Sequence, residues 1–276
     1  MKSFQREYGG TGGNIAYSLS LLDIPTVLVG AVGNDAEDYL EHLNQFKSLE
    51  TNTIKQFDEK TARGFVTTDS DDNQIWGFYE GAMKFASEIE ISKVLRKGDL
   101  LVVAPNDPKA MIDYVKQAVD KDVPYLFDPA FNIPHFRVSD LKFAIENAKI
   151  LIGNDYEVQL IERRLHERIS SKILNDLEIL VTTLGPNGAK VEDQDKINKI
   201  PAAKPNNTSD PTGAGDAFRA GFLAGLYYDQ DLSISGRMGA LNAVYTVEKY
   251  GTQTHSFSKI SFSKRFKENY DQKLML

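Results

Sequence analysis

Apolar runs alternate along the chain with segments of helical spacing. Thr26–Val32 reads TVLVGAV and predicts a buried strand, and helical spacing follows over Asp35–Phe46. The same alternation recurs at Asp99–Ala104, which precedes a helix over 108–121. Further strands are predicted at Pro124–Asp128, Lys149–Gly153 and Glu178–Leu184. Because these strands are continuously apolar, they predict a mostly parallel sheet covered by helices on both faces, a three-layer α/β fold.

The segment 51–83 departs from this alternation. Thr61–Asp69 and Gln74–Glu80 both have strand character, and they flank the turn-forming cluster Ser70–Asn73. We therefore predict an antiparallel hairpin outside the main sheet that acts as a lid. The C-terminal part of the chain predicts three helices, Gly215–Tyr228, Ser233–Tyr250 and Lys259–Tyr270. With no internal repeat or low-complexity linker, residues 1–276 are interpreted as one domain with 51–83 as its lid.

Composition narrows the class of protein. The 276 residues are 41% hydrophobic and carry a formal net charge of -7, which argues against a nucleic-acid coat or a polybasic membrane tether. No apolar run approaches the roughly 18 residues that span a bilayer. The absence of cysteine excludes disulfides, thiolate metal sites and a cysteine nucleophile. A soluble cytoplasmic enzyme without nucleic-acid or membrane partners is expected.

The sharpest chemical signal is Asp210–Phe218, which reads DPTGAGDAF. The small residues 213–215 let the backbone N–H groups at a helix N-terminus approach an anion closely. Asp216 then lies in the first helical turn, within reach of an incoming hydroxyl. The helix dipole is expected to keep it ionised and weakly basic, which suffices for phosphoryl transfer through a loose transition state. The alternative is a plain helix start stabilised by an acidic residue. Neither G-x-x-x-x-G-K-[ST] nor G-x-G-x-x-G occurs in the chain.

Two weaker signals lie elsewhere. The segment Gly9–Asn14 reads GGTGGN and leads into helical spacing over Ile15–Leu22. Its glycines permit a tight turn and close approach of a ligand, and the amide of Asn14 can donate to and accept from vicinal hydroxyls. An ordinary loop is the alternative. Asp128–Asn132 follows a strand end, where α/β proteins bind ligands, although a plain turn explains it equally well.

Together these segments resemble the ribokinase-like (PfkB) family of sugar and nucleoside kinases. Four elements carry the resemblance in family order: Gly9–Asn14, Asn154–Glu157, Thr182–Gly188 and Asp210–Phe218. The resemblance implies a ribokinase-like fold and an ATP-dependent transfer of phosphate to a hydroxyl group.

The resemblance also implies roles for individual residues. Asp216 is the implied catalytic base, and the implied anion hole is formed by Gly213, Ala214 and Gly215. Magnesium is implied to be held, mostly through water, by Asn154 and Glu157. The implied ATP-binding residues are Thr183, Gly185, Gly188 and Asn242. The implied substrate-binding residues are Gly10, Gly12, Gly13, Asn14, Phe78 and Met83. As alternatives, Asn154 caps a helix and Asn242 is a helix-surface amide.

Two segments indicate which molecule accepts the phosphoryl group: Gln74–Met83 and Tyr250–His255 resemble the adenosine-kinase-like branch of the family. A lid rich in aromatic residues (Trp76, Phe78, Tyr79) suits stacking on a purine. In the alternative, these rings close the lid's own small core. Conversion of adenosine to AMP is thus the first choice, and a free pentose or hexose is the second. ATP and Mg²⁺ are the expected cofactors, and a requirement for K⁺ is open.

The chain departs from the family pattern at its start. Family members place a strand with a substrate-binding aspartate before the first glycine segment, whereas eight residues without aspartate precede Gly9 here. The expectation is a shortened chain or a protein that lacks this element. This leaves a second hypothesis, a non-catalytic nucleoside-binding protein on a decayed kinase fold. A nicotinamide-dependent oxidoreductase is disfavoured by the missing fingerprint. Since lid hairpins in the family can pair between subunits, a monomer and a homodimer are both open.

Overall fold

The computed structural model describes residues 5–68, 74–170 and 177–276. The described part of the chain contains eight α-helices: α1 (Thr11–Ser20), α2 (Glu37–Leu43), α3 (Pro108–Asp120), α4 (Val138–Glu146), α5 (Asp155–Leu165), α6 (Ala214–Tyr227), α7 (Leu232–Val247) and α8 (Lys259–Tyr270). It also contains twelve strands: β1 (Thr26–Val27), β2 (Gly30–Gly33), β3 (Leu49–Glu50), β4 (Ile54–Phe57), β5 (Arg63–Thr68), β6 (Gln74–Tyr79), β7 (Leu101–Val103), β8 (Tyr125–Phe127), β9 (Ile150–Asn154), β10 (Ile179–Thr183), β11 (Ala189–Glu192) and β12 (Ile197–Ile200). Among these residues, no helix is both long and apolar enough to cross a bilayer.

The centre of the fold is a six-stranded sheet in the order β12-β11-β10-β9-β8-β7. The pairs from β7 to β10 are parallel, and β11 and β12 continue the sheet antiparallel. Side chains alternate between the two faces. Tyr125 and Phe127 pack in the core formed with α3, α4 and α5, whereas Leu126 between them packs in the core formed with α1, α6, α7 and α8. The predicted three-layer α/β fold is confirmed.

Glycines allow α6 and α7 to pack unusually closely. A Cβ atom at Gly221 would lie 2.5 Å from the carbonyl oxygen of Met238, and one at Gly225 would lie 2.5 Å from Cα of Ser235. These distances are shorter than Cβ atoms normally tolerate, so the two helix backbones touch where a side chain would otherwise separate them. The close packing fixes the direction of α6, whose N-terminus carries the segment with the sharpest chemical signal.

The first strand prediction was wrong in its details. Thr26–Val32 forms two short strands, of which β1 pairs with β3 and β2 pairs with β4, both in parallel. Neither belongs to the six-stranded sheet, and Val27 is 42% exposed. Apolar composition alone cannot distinguish a central strand from a peripheral one of equal length. The antiparallel strands β11 and β12 were not predicted.

The predicted hairpin is confirmed over a narrower range. Strands β5 and β6 pair antiparallel, with Arg63 opposite Tyr79, in a sheet separate from the others. The turn prediction at Ser70–Asn73 lies outside the described residues, as does the side chain of Trp76. Strand β4, inside the predicted lid range 51–83, pairs with β2 instead. A 3₁₀ helix, Gly81–Glu88, follows the hairpin directly.

Candidate active site

Asn14 and Asp216 meet where the N-terminal turns of α1 and α6 come together. The side-chain amide of Asn14 donates a hydrogen bond of 2.7 Å to Oδ2 of Asp216. Asn14 is 5% exposed, so this contact is largely shielded from solvent. The two glycine-rich segments, which are far apart in the sequence, therefore form one site.

The orientation of the Asn14 amide is fixed by two donors on its oxygen side. Oδ1 accepts hydrogen bonds from the Thr252 hydroxyl at 2.8 Å and from Nε2 of Gln253 at 2.9 Å. The oxygen of Gln253 in turn lies 3.1 Å from Nε2 of His42, which donates to it. Because donors occupy Oδ1, the NH₂ group of Asn14 must face Asp216. A chain of three hydrogen bonds thus runs from His42 to the carboxylate.

The helix α1 begins four residues earlier than the sequence predicted. Gly10 adopts a φ of 89°, which favours glycine, and its carbonyl accepts the backbone N–H of Asn14 at 2.8 Å. The predicted glycine loop is therefore the first turn of the helix. Gly13 is buried, and a Cβ atom there would overlap the hydroxyl of Tyr39. At Gly12 a Cβ atom would make an ordinary 3.6 Å contact with Leu28. The need for glycine at 13 comes from this packing, and substrate contacts at Gly10, Gly12 and Gly13 stay predictions.

The environment of Asp216 makes it a stronger base than the sequence indicated. Burial raises the pKa of its carboxyl to about 6, while the charge of Arg219 and the hydrogen bond from Asn14 lower the pKa and the charge of Asp128 raises it. Desolvation therefore outweighs the neighbouring positive charge and opposes the expected effect of the helix dipole. At neutral pH the carboxylate is still mostly ionised, and its Oδ1 atom has no hydrogen-bond partner among the described residues.

The glycine turn before α6 takes a left-handed conformation, with Gly213 at a φ of 78°. A Cβ atom there would lie 2.7 Å from Cγ2 of Thr252. The turn therefore packs on the same segment that positions Asn14. The Ala214 N–H donates to the Pro211 carbonyl at 3.2 Å, whereas the N–H groups of Gly213 and Gly215 have no hydrogen-bond partner among the described residues, and the anion hole stays a prediction.

The carboxyl ends of β8, β9 and β10 bring further predicted residues to the same edge of the sheet. Thr183 pairs in register with Asn154, and Asp128 follows β8 directly. Asn154 is the N-cap of α5: its Oδ1 accepts the Glu157 N–H at 2.8 Å, and Oε2 of Glu157 accepts the Asn154 N–H at 2.7 Å. The capping alternative for Asn154 is confirmed.

The carboxylate of Glu157 is compatible with the predicted magnesium site. Its Oε1 atom has no hydrogen-bond partner in the described part of the chain. Burial raises the pKa of its carboxyl, which indicates a charge shielded from bulk water. Among residues 5–68, 74–170 and 177–276, no group of three His, Asp or Glu could enclose a metal. Magnesium in phosphoryl transfer needs no such cage, because phosphates and water supply most of its ligands.

The remaining predicted ATP-binding residues differ in their surroundings. Gly185 opens the turn after β10 with a φ of 55°, and a Cβ atom would meet no protein atom there. Gly188 has a φ of 88°, and a Cβ atom would overlap the carbonyl oxygen of Ile200, which explains the glycine by packing. Asn242 is fully buried and donates to the Ala217 carbonyl at 2.7 Å. The surface alternative for Asn242 is wrong, and nearness to adenine stays a prediction.

The base of the hairpin borders a cavity. About 510 Å³ in volume, it is lined by Phe78, Tyr79, Glu80, Gly81 and Lys84. Phe78 is 58% exposed and Tyr79 is 43% exposed, so these two rings do not close a core within the hairpin, contrary to the alternative interpretation. Met83 is half-buried next to this lining. Aromatic surface of this kind is available to a flat apolar ligand.

Comparison with known proteins decides the family. The sequence profile described as pfkB family carbohydrate kinase matches residues 1–259. The chain belongs to the pfkB family of carbohydrate kinases. It is therefore a kinase, an enzyme that transfers a phosphoryl group, and the predicted resemblance is confirmed. The ribokinase-like fold agrees with this membership.

Relatives in the family include nucleoside kinases. The chain is 31% identical over 258 residues to a nucleoside kinase of Methanocaldococcus jannaschii, a match that covers 92% of this chain and 83% of the relative. A structure of the Burkholderia thailandensis nucleoside kinase in complex with inosine has a TM-score of 0.92 and 30% identity, and covers 99% of this chain and 89% of that one. The same enzyme in complex with ADP-inosine has a TM-score of 0.92 and 30% identity, and covers 99% and 85% of the two chains.

Proposed function

We propose that this pfkB-family enzyme transfers the γ-phosphate of ATP to a hydroxyl of a purine nucleoside, with adenosine as the first acceptor to test. The observation that carries the proposal is the hydrogen bond of Asn14 to Asp216 at the glycine turn of α6. It sets a partly desolvated carboxylate beside backbone N–H groups that suit an anion. Supporting it, the similar Burkholderia enzyme was solved with inosine, also a purine nucleoside.

The reaction needs one base to take the proton of the attacking nucleoside hydroxyl. The acceptor oxygen attacks the γ-phosphorus, its proton passes to Oδ1 of Asp216, and the bond to the β-phosphate oxygen breaks to leave ADP. Asn14 occupies Oδ2 and so leaves Oδ1 for the substrate. The N–H groups of Gly213 and Gly215 donate to the transferred group, and the Ala214 N–H can join them only by giving up its bond to the Pro211 carbonyl. Asp216 returns the proton to solvent when the nucleoside monophosphate departs.

Glu157 is the proposed protein ligand of Mg²⁺, held mostly through water. Magnesium would neutralise charge on the ATP phosphates. Asn154 acts on this site through Glu157, because its cap interactions fix the carboxylate at the start of α5. Thr183 and Gly185, at the carboxyl end of the next strand, are proposed to line the nucleotide.

Phe78 and Tyr79 are proposed to close over the nucleoside base. Their exposed rings suit stacking on a purine, and the open groove that they line leaves their faces accessible to a ligand. A bare sugar would leave both rings in water. Replacing Phe78 with Ala is therefore expected to raise the KM for a nucleoside while leaving the KM for ATP little changed.

The deciding experiment measures phosphorylated product by ³¹P NMR with Mg-ATP and a panel of adenosine, inosine, cytidine, ribose and fructose. Turnover on a purine nucleoside above that on both sugars supports the proposal. Preference for ribose or fructose would establish the sugar-kinase alternative instead. Nucleoside binding without turnover on any member would favour a non-catalytic binding protein. The same panel with and without K⁺ tests the monovalent-cation requirement that the sequence leaves open.

A further inference from the structure

A buried ion pair lies directly behind the glycine turn, and none of the roles above uses it. Nη2 of Arg219 donates to Oδ1 of Asp128 at 2.7 Å, and Nε lies 2.5 Å from Oδ2. Asp128 is fully buried and Arg219 is 6% exposed. The pair joins α6 to the residue that follows β8, across the top of the sheet.

A buried ion pair is an inefficient way to stabilise the contact between two elements, because both charges lose their hydration. Removing both charges from water carries a large desolvation cost, and apolar residues of similar size often stabilise a protein at least as well. The remaining charges near it are acidic: Asp216 precedes Arg219 by one helical turn, and Glu157 begins α5. A single buried cation therefore faces three carboxylates, which is a poor arrangement for stability alone.

The guanidinium also contacts the turn itself. A Cβ atom at Gly215 would lie 2.9 Å from Nη1 of Arg219, so the guanidinium packs against the backbone of the proposed anion hole. Nη1 has no hydrogen-bond partner among the described residues. Its position is set by Asp128 through the other two nitrogens. The cation therefore has a fixed place under the N-terminus of α6, where that helix end already favours negative charge.

We propose that Arg219, held by Asp128, is a positioning residue for phosphoryl transfer: it supports the Gly213–Gly215 turn and places a positive charge behind it. This inference rests on the proposed function. The charge favours the ionised form of Asp216 and the negative charge that develops on the transferred group. Glycine at 215 is required because any side chain there would displace the guanidinium.

The test compares three variants, Arg219→Gln, Arg219→Lys and Asp128→Asn, by kinetics and by ¹³C NMR titration of the Asp216 carboxyl. We expect Arg219→Gln to lower kcat by about 10- to 100-fold, with the KM for nucleoside little changed. Arg219→Lys should recover part of that loss. The groups whose charge acts on Asp216 are Arg219 and Asp128, with opposite signs. The titration of Asp216 should therefore move to higher pH in Arg219→Gln and to lower pH in Asp128→Asn.

Arg164→Gln is the matched control for loss of stability. Arg164 bonds the Phe136 carbonyl near the C-terminal end of α5, away from the carboxyl edge of the sheet. If Arg219 were merely structural, Arg219→Gln and Asp128→Asn would shift the Asp216 titration alike or not at all, and activity would follow melting temperature as in the control. The titration needs no substrate, so it decides this inference even if the wild type phosphorylates no nucleoside, a result that would refute the proposed function alone.

Discussion

Asn14 donates its side-chain amide to the carboxylate of Asp216 at 2.7 Å, although 202 residues separate them in the chain. The contact joins the two glycine-rich segments that carry the family resemblance. It also gives the two carboxylate oxygens of Asp216 different surroundings, because Oδ2 is held by Asn14 and Oδ1 is left for a substrate.

Replacing Asn14 with Ala removes the amide that holds Oδ2 of Asp216. Because that hydrogen bond lowers the pKa of Asp216, the acidic limb of kcat/KM should move to higher pH, and kcat should fall about 10²-fold. The Asn14→Asp variant adds a second carboxylate and should move the limb further in the same direction. Steady-state kinetics between pH 5 and pH 9 measure both effects. An unchanged limb in both variants would show that the contact has no part in ionising the base.

The chain of donors behind Asn14 predicts an effect of Gln253, which touches no proposed substrate atom. Gln253→Leu removes one of the two donors to Oδ1 of Asn14 and leaves the Thr252 hydroxyl alone to hold the amide, so kcat should fall while the KM for ATP stays nearly constant. His42 lies one hydrogen bond further from Asn14 than Gln253 does, so His42→Phe should lower kcat less. The phenyl ring keeps the stacking on Tyr8 and Tyr17. An equal or larger loss in His42→Phe would contradict this order.

The wild-type activity should depend on pH through Asp216. Since the base must be ionised and its pKa is raised to about 6, kcat/KM is expected to rise through pH 6 and to level off above pH 7. A pH–rate profile with a saturating concentration of Mg-ATP measures this. A plateau that extends down to pH 5 would mean that the carboxyl is not desolvated in the working enzyme.

The same ionisation predicts a cost in stability. The folded pKa of Asp216 lies above the usual 3.8, so the folded state binds more protons between pH 4 and pH 6 and loses stability as the pH rises through that range. Asp216→Asn should therefore raise the free energy of unfolding by about 2 to 3 kcal/mol at pH 8, and by much less below pH 4. Urea unfolding at the two pH values measures the difference. Equal effects at both would contradict a desolvated carboxylate.

The packing of α6 on α7 gives a prediction that does not depend on the reaction. Gly221→Ala should destabilise the protein by about 1 to 3 kcal/mol, because the new methyl group meets the Met238 carbonyl. Gly30→Ala is the control, since a Cβ atom there meets no protein atom. Thermal unfolding of both variants compares them. A similar loss in the control would show that the helix contact is not the cause.

Much of the fold could be predicted from local pattern. Strands β7 to β10 are continuously apolar because helices cover both faces, and α8 begins and ends at the predicted residues. The separate pairing of β1 and β2 could not be predicted, because pairing partners depend on contacts distant in sequence. The same holds for the site: motif residues such as Asp216 stand out, whereas Arg219 and Gln253 act through a buried ion pair and an amide chain that no spacing encodes.

Two residues differ from the expectation that the sequence gives, each for a physical reason. Asn242 is a polar residue of a kind usually found on a helix surface, but it is fully buried because α7 packs on both α6 and the sheet edge. The basicity of Asp216 was underestimated, because a helix N-terminus alone favours ionisation and burial cannot be seen in a sequence.

The most direct test of Asp216 as the catalytic base is phosphoryl transfer from Mg-ATP to adenosine and inosine in a single turnover, comparing wild type with Asp216→Asn. The wild type is expected to form nucleoside monophosphate. Asp216→Asn should lose at least about 10²-fold in rate, with nucleoside affinity retained. Equal single-turnover rates in the two proteins would contradict Asp216 as the base that receives the substrate proton.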